Sequence, residues 1–322
     1  MKNSKNKSDG KKRPGIAVVG ELNVDLIAVG LESLPALGSE ILAKDFELTL
    51  GSASAIFACG LSRLGFPVTL ISKVGTDYFG QVCIEALRRN GVCTDNIIRD
   101  SRVKTGVTIA FSTAGDRALV TYPGAIAQLR YEDLPAPFLK NRQHLHMTSY
   151  YLQEGLQKSF ARIFREAKQS GMTTSFDPNS DPAQTWDGGI REVFAHTDVL
   201  FFNETEARQL TRQMDFDRVL NGVGRTAPCV VIKRGPRGAV AVQGKEVTSV
   251  GGFKVQAVDT TGAGDSFAAG FISGYLENMT VRECLELGNA CGALSTRRSG
   301  GTTAQPDRVA ITKLLKSRAG QK

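Results

Sequence analysis

The chain has 322 residues, 40 Lys plus Arg against 32 Asp plus Glu, 41% hydrophobic residues and 34 glycines, a composition that excludes fibrous, collagenous and wholly disordered chains. Of the net charge of +8, residues 1–14 and 308–322 each hold +5, which leaves a body of −2. Nucleic-acid binders carry positive charge on a folded face that tracks phosphates. Here it lies in two polar ends, read as a disordered basic tail at 1–14 and a basic C-terminal tail at 308–322, so no nucleic-acid partner is expected.

The first 14 residues lack the apolar run of a signal peptide, and no apolar run in the chain can span a bilayer, so a cytoplasmic protein with no membrane partner is expected. Cysteines 59, 83, 93, 229, 284 and 291 form no CxxC pair. They read as reduced, buried small hydrophobes.

In chain order, strands are expected at 16–19 and 26–29, a helix at 54–64, a strand at 68–74 and a helix at 79–89 ending at Asn90-Gly91. A strand at 144–147, a helix at 159–169 closed by Gly171, and a strand at 173–176 follow. The rest alternates a strand at 199–202, a helix at 204–211, a strand at 230–233, and helices at 266–276 and 282–297. This alternation predicts an α/β fold: a doubly wound, mostly parallel sheet with helices on both faces. Two stretches break the rhythm. Segments 41–50 and 105–122 hold strands without crossover helices, the second turning at Ala114-Gly115-Asp116, and are expected to form a small β lid over a body spanning 15–307.

The stretch Asp259-Thr260-Thr261-Gly262-Ala263-Gly264-Asp265-Ser266, continuing to Ile272, carries the most chemistry. Gly262, Ala263 and Gly264 precede a helical run, so their N–H groups form an anion hole at a helix N-terminus. Asp265 sits at the same positive end, where it can accept a proton from a substrate hydroxyl while the amides hold charge growing on a phosphate. Asn203 and Glu206 follow a strand, at the carboxyl edge where parallel sheets bind ligands; a plain capping box explains their spacing equally. Asn23 and Asp25 alternate on an early strand and share a face, which suits vicinal sugar hydroxyls or a strand-end turn.

The motif from Asp259 to Ile272 resembles the C-terminal motif of the ribokinase-like (PfkB) carbohydrate kinases. Further family-like segments run in family order over about 15–305. They are Gly20-Glu21-Leu22-Asn23-Val24-Asp25, Arg63-Leu64-Gly65, residues 74–80, Asp177-Pro178-Asn179, residues 203–206 and residues 233–238. The resemblance implies an ATP-dependent kinase that phosphorylates a hydroxyl of a small carbohydrate, with a nucleoside such as adenosine as the alternative substrate. It makes Asp265 the general base and Gly262, Ala263 and Gly264 the anion hole. Asn203, Glu206, Lys233, Gly235 and Gly238 fall on the nucleotide side, with Mg²⁺ held through water at Glu206. Asn23, Asp25, Gly51 and Ser52 fall on the sugar side. A potassium ion between Asp259 and Thr261 on one loop and Ser295, Gly300 and Thr302 on another is also implied; ordinary loop polarity explains those residues equally. Relatives pair their lids edge to edge, so a homodimer is expected.

Two departures from the family pattern concern the sugar. Ser52 stands where a second glycine is usual and Ile56 where an asparagine contacts sugar, so one hydroxyl contact is expected to be lost or supplied by Ser52 or Ser54. Met147-Thr148-Ser149-Tyr150 lacks the carboxylate that ribose-specific members place there. A serine hydrolase using Ser266 is the remaining alternative. It lacks a GxSxG elbow, and its base would have to be His144, His146 or His196.

Overall fold

The computed structural model describes residues 14–113 and 117–319. Its strands are β1 (Gly15–Val19), β2 (Asn23–Leu31), β3 (Asp45–Leu50), β4 (Val68–Gly75), β5 (Ile97–Asp100), β6 (Gly106–Thr113), β7 (Arg117–Tyr122), β8 (Arg142–Thr148), β9 (Thr173–Asp177), β10 (Val199–Asn203), β11 (Cys229–Lys233), β12 (Ala239–Gln243) and β13 (Glu246–Val250). Its helices are α1 (Ala53–Arg63), α2 (Tyr78–Arg89), α3 (Glu154–Gln157), α4 (Phe160–Gln169), α5 (Ile190–Phe194), α6 (Glu204–Thr211), α7 (Phe216–Val223), α8 (Ala263–Leu276), α9 (Val281–Ser295) and α10 (Arg308–Ala319). A large sheet runs β13-β12-β11-β10-β9-β8-β1-β4-β5, and a smaller one runs β3-β2-β6-β7. The large sheet is parallel from β11 to β5, while β12 and β13 add antiparallel strands at one edge. This is the expected doubly wound α/β architecture.

Alternation along each strand sorts the core into two layers. Ile16 and Val18 of β1 face one layer with Phe57 of α1, Phe267 and Phe271 of α8 and Leu285 of α9. Ala17 and Val19 face the other with Phe160 and Phe164 of α4, Ile190 of α5, Leu210 of α6 and Val219 of α7. Strands such as β10, which reads VLFFN, are apolar at nearly every position because both faces are covered.

The structure corrects two expectations and adds two strands. The C-terminal stretch from 308, expected as a polar tail, is helix α10, with Ile311 buried and Leu314 and Leu315 packed on the core. Its positive charges line the outer side of a helix anchored by spaced apolar residues. The small sheet also holds more than 41–50 and 105–122. Its centre is β2, which carries Asn23 and Asp25 and pairs with both β3 and β6. Strands β12 and β13, with no helix between them, extend the large sheet rather than the lid. The expected hairpin turn at 114–116 and residues 1–13 of the expected N-terminal tail lie outside the described residues.

β8 carries two histidines into the first layer. His144 hydrogen-bonds Thr173 Oγ1 through Nδ1 (2.8 Å) and Ser175 Oγ through Nε2 (2.7 Å). His146 reaches Ser175 Oγ (2.7 Å) and stacks on Phe57, with ring centroids 3.6 Å apart. Burial disfavours the imidazolium, which lowers the pKa of His144 to about 3 and that of His146 well below the usual value. Depressed histidines contribute stability in full above their unfolded pKa of ~6.5, and that stability is lost as pH falls towards the folded value. Urea unfolding at pH 7.5 and pH 5 should therefore show a drop in stability that is smaller in His144→Gln. An equal drop in both proteins would remove the histidines as its cause.

Candidate active site

Four neighbouring strands of the large sheet end on polar side chains at one edge: Thr148 on β8, Asp177 on β9, Asn203 on β10 and Lys233 on β11. Thr148 pairs in register with Asp177, and Asn203 with Lys233. Parallel strands all deliver their carboxyl ends to one side, where ligands bind in this class of sheet. A cavity of about 640 Å³ opens there, lined by Asn203, Glu206, Lys233, Gly235 and Gly238 together with Gly262, Ala263, Gly264 and Asp265. The residues singled out for the nucleotide and phosphate side thus meet in one space.

The start of α8 explains why the cavity suits an anion. Ser52, Asp77, Asn203, Asp215 and Thr280 cap α1, α2, α6, α7 and α9 with side-chain oxygens. Helix α8 instead begins at Gly262, left-handed at φ 69°, with no side-chain cap. The Ala263 N–H turns back to the Thr260 carbonyl (3.2 Å), and the Ser266 N–H opens the helical ladder on the Gly262 carbonyl (2.9 Å). The N–H groups of Gly264 and Asp265 are left at the cavity wall without an acceptor among the described residues, whereas that of Ala263 is taken by the turn. Gly262 needs its missing side chain twice. Its backbone angle disfavours other residues, and a Cβ there would lie 2.9 Å from Ile56 Cδ1 and Cγ2.

Charge is concentrated around Lys233. Its ammonium pairs with Asp177, which is almost wholly buried, and a Cβ on Gly264 would lie 3.2 Å from Lys233 Nζ. Burial works against the ammonium, but Asp177, Glu206 and Asp265 more than offset it and hold its pKa above the usual lysine range. Burial raises Glu206, with Lys233 partly opposing. Asp265, partly open to the cavity but surrounded by protein, is pushed up to about 7. Burial is the largest cause; Lys233 opposes it, and the carboxylates of Asp177, Glu21 and Glu206 add to it. A carboxyl near neutrality beside two open N–H donors can take or hold a proton in the working pH range.

Asn203 and Glu206 form the capping box: Asn203 Oδ1 accepts the Glu206 N–H (2.8 Å), and Glu206 Oε2 accepts the Asn203 N–H (2.7 Å). Glu206 Oε1 takes only a longer bond from Ser180 Oγ (3.2 Å). Glu206 thus caps α6 and also lines the cavity. Among the described residues no three His, Cys, Asp or Glu side chains converge as a direct metal cage.

On the other side of the cleft, Asn23 Nδ2 donates to Asp25 Oδ1 (3.0 Å) and Thr108 Oγ1 (3.2 Å), and Thr108 meets Thr121 (3.1 Å), which gives the lid a polar inner face. Gly51 lies against this pair, since a Cβ there would be 2.1 Å from Asp25 Oδ1. Ser52, at φ 74°, donates to the Glu21 carbonyl (2.5 Å) and accepts the Ala55 N–H (3.1 Å). Ser54 Oγ is committed to Glu21 Oε2 (2.8 Å) and Thr148 Oγ1 (2.7 Å). Neither serine keeps its proton for the missing sugar contact. The Ile56 side chain, expected toward that contact, packs against Gly262 and Gly301 instead.

The loops proposed for a monovalent cation are joined by Asp259. Its Oδ1 accepts from Thr261 N (2.8 Å) and Oγ1 (2.7 Å), and its Oδ2 accepts from Gly300 N (2.9 Å). Ser266 is buried and accepts from Gln305 Nε2 (3.0 Å), while His144 and His146 are spent in the core, so the hydrolase constellation does not assemble there.

The family model for pfkB family carbohydrate kinases matches residues 13–308. The chain belongs to the PfkB family of carbohydrate kinases. It is 30% identical over 300 residues to the ATP-dependent ribose-1-phosphate kinase of Halopiger xanaduensis, covering 93% of this chain and 97% of that one. It is 30% identical over 283 residues to the 2-dehydro-3-deoxygluconokinase of Bacillus subtilis, covering 84% and 87%. Among solved structures, that of Arabidopsis thaliana ribokinase complexed with ribose and ATP aligns with a TM-score of 0.81 at 26% identity, covering 94% and 99%. The protein is an ATP-dependent carbohydrate kinase with the ribokinase-like fold.

Several parts of this PfkB kinase's cleft were given no role by the sequence. Glu21 is buried and accepts from Ser54 N (3.1 Å), Ser54 Oγ, Thr148 Oγ1 and Ser149 Oγ (2.9 Å), tying β1, α1 and β8 together. Ser149 in turn accepts from Asn179 Nδ2 (2.8 Å), which lines the nucleotide cavity. Phe253, Lys254 and Val255 complete the wall from the loop after β13. Glu21 and Asn179 lie in family-like segments of the sequence, but those segments alone assign them no partner.

Placing asparagine at 56 puts an amide between two glycine backbones where no partner waits. Ile56→Asn should cost ~2–4 kcal/mol of stability in urea unfolding, with no gain in kcat/KM for hydroxyl-rich sugars. An undiminished stability, or a selective gain for ribose or fructose, would place the side chain toward the sugar after all.

Proposed function

We propose that this PfkB kinase transfers the γ-phosphoryl of ATP to a primary hydroxyl of a small neutral sugar, with Asp265 as general base. One observation carries the reading: a carboxyl held near pH 7 at the start of α8, beside the open N–H groups of Gly264 and Asp265. Asp265 accepts the hydroxyl proton, the two amides hold charge on the transferring group, and Lys233 adds positive charge beside Gly264. Asn203 and Glu206 would hold a hydrated Mg²⁺, which would supply positive charge to the ATP phosphates when bound.

Asn23 and Asp25, backed by Thr108, offer acceptor and donor groups to vicinal hydroxyls. Asp25, Glu21 and Asp265 together repel a substrate carboxylate or phosphate, which favours a neutral acceptor over the acid or phosphorylated sugars named for two relatives. Closure of the lid excludes water and limits ATP hydrolysis. Its outer face supports a homodimer: Leu26, Leu48, Ile109 and Val120 lie in register, and Phe46, Leu48, Ile109 and Val120 are exposed. A second copy would cover this stripe and the open edges of β3 and β7. Potassium between the 259–261 and 295–302 loops belongs to the same proposal; replacing it with a bulky organic cation should slow turnover, and an unchanged rate removes it. Among the described residues no helix is long and apolar enough to cross a membrane. The free cysteines, with the buried thiols of Cys59, Cys229 and Cys291 pushed up to about 12 by burial, fit a reducing cytoplasm.

Asp265→Asn should keep the fold and sugar affinity while lowering kcat by ~10² or more. In the wild type, kcat/KM should fall as pH drops through about 7, because the base must be ionised. A variant with near-normal turnover contradicts the assignment. A panel of fructose, ribose, adenosine and 2-dehydro-3-deoxygluconate should favour a neutral sugar; adenosine as best acceptor would establish the nucleoside alternative. Val120→Lys should yield monomers in light scattering, and an unchanged mass would reject the lid as the interface.

A further inference from the structure

The last turn of α9 divides two cavities. Ala293 and Thr296 face the nucleotide space, while Leu294, Arg297 and Arg298 face a second cavity of about 590 Å³. Arg63 and Arg89, from the ends of α1 and α2, bring to four the arginines that line it. Among the described residues no ion pair joins any of the four to a carboxylate. Asp307 on the same wall is engaged as the cap of α10, accepting the Ala310 N–H (2.8 Å).

Basic residues at helix C-termini normally balance the helix dipole, and α1, α2 and α9 all end here. At roughly half a charge per helix end, the three dipoles offset about one and a half positive charges. Four guanidinium groups against that and Asp307 leave the cavity positive, an arrangement that repels itself until an anion enters. Arg63 is already positioned. Its Nε and Nη2 donate to Asn90 Oδ1 (3.0 and 2.9 Å) and its Nη1 to the Gln305 carbonyl (2.9 Å), leaving two of five N–H donors open. A smaller cavity of about 360 Å³ shares Arg63, Arg89 and Asn90 and adds the hydroxyls of Thr49, Thr302 and Thr303.

We propose that these joined cavities bind a small phosphate ester, its phosphate on the four arginines and its hydroxyl-bearing part against the threonines, at a site separate from the nucleotide cleft. Guanidinium forks match phosphate oxygens in pairs, and the class includes the sugar phosphates this family produces.

The test is calorimetric titration of the full chain, its nucleotide cleft filled with Mg²⁺ and a non-hydrolysable ATP analogue. Ribose 5-phosphate and inorganic phosphate are separate titrants. Ribose 5-phosphate should bind the wild type, and Arg297→Ala/Arg298→Ala should bind it ~10-fold or more weakly. Both arginines are exposed, so the variant should fold; circular dichroism checks this, and Arg89→Gln gives an independent second arm. Equal affinity in wild type and both variants, or no binding to the wild type, overturns the proposal. Equal affinity for inorganic phosphate and the ester would reject the threonine half, and duplex DNA binding where both titrants fail would reject a small ligand.

Discussion

The cleft depends on one buried ammonium set among three carboxylates. Lys233 pairs with Asp177 and lies within electrostatic reach of Glu206 and Asp265. One cation cannot neutralise three anions in a medium that solvates them poorly, so the group with the least compensation holds its proton most readily. Asp177 has the direct ion pair and Glu206 accepts the Asn203 N–H, while burial pushes Asp265 up to about 7. The sheet contributes to this crowding, because the neighbouring parallel strands β9, β10 and β11 end on Asp177, Asn203 and Lys233.

A second constraint fixes where that carboxyl sits. Gly262 is left-handed, and Ile56 fills the space a side chain there would take. Helix α1 begins at Ser52, on the sugar side, and within its first turns reaches the phosphate turn. The Gln305 side chain ties the back of this contact, donating to the Ile56 carbonyl (2.8 Å) and to Ser266 Oγ. The proposed sugar side and the proposed anion hole are therefore held in register by packing as well as by chain connectivity, which is what in-line transfer between two substrates would require.

Much of this was legible in residue order. The run from Asp259 to Ile272 marked the anion turn and its aspartate, and strand periodicity marked the layered body. What stayed hidden depends on rotation and partnership. Ile56 stands at a position the family uses for sugar, but its side chain turns toward Gly262, and a substitution in a motif does not reveal which way a helix faces. Glu21 was visible only as a letter between Gly20 and Leu22; its role comes from Thr148 and Ser149, more than a hundred residues away. Helix α10 was obscured by its charge, although Ile311, Leu314 and Leu315 carry helical spacing.

The central claim, that burial raises Asp265 and Lys233 opposes that rise so that the carboxyl sits near neutrality, is tested most directly by carbon NMR of protein labelled at aspartate side-chain carboxyls. The Asp265 resonance is assigned by its absence in Asp265→Asn and followed with pH in the nucleotide-free protein. The account predicts a midpoint at about 7, moving higher when Lys233 is replaced by methionine. A midpoint at the ordinary aspartate value of ~3.9, unmoved by that replacement, would contradict it.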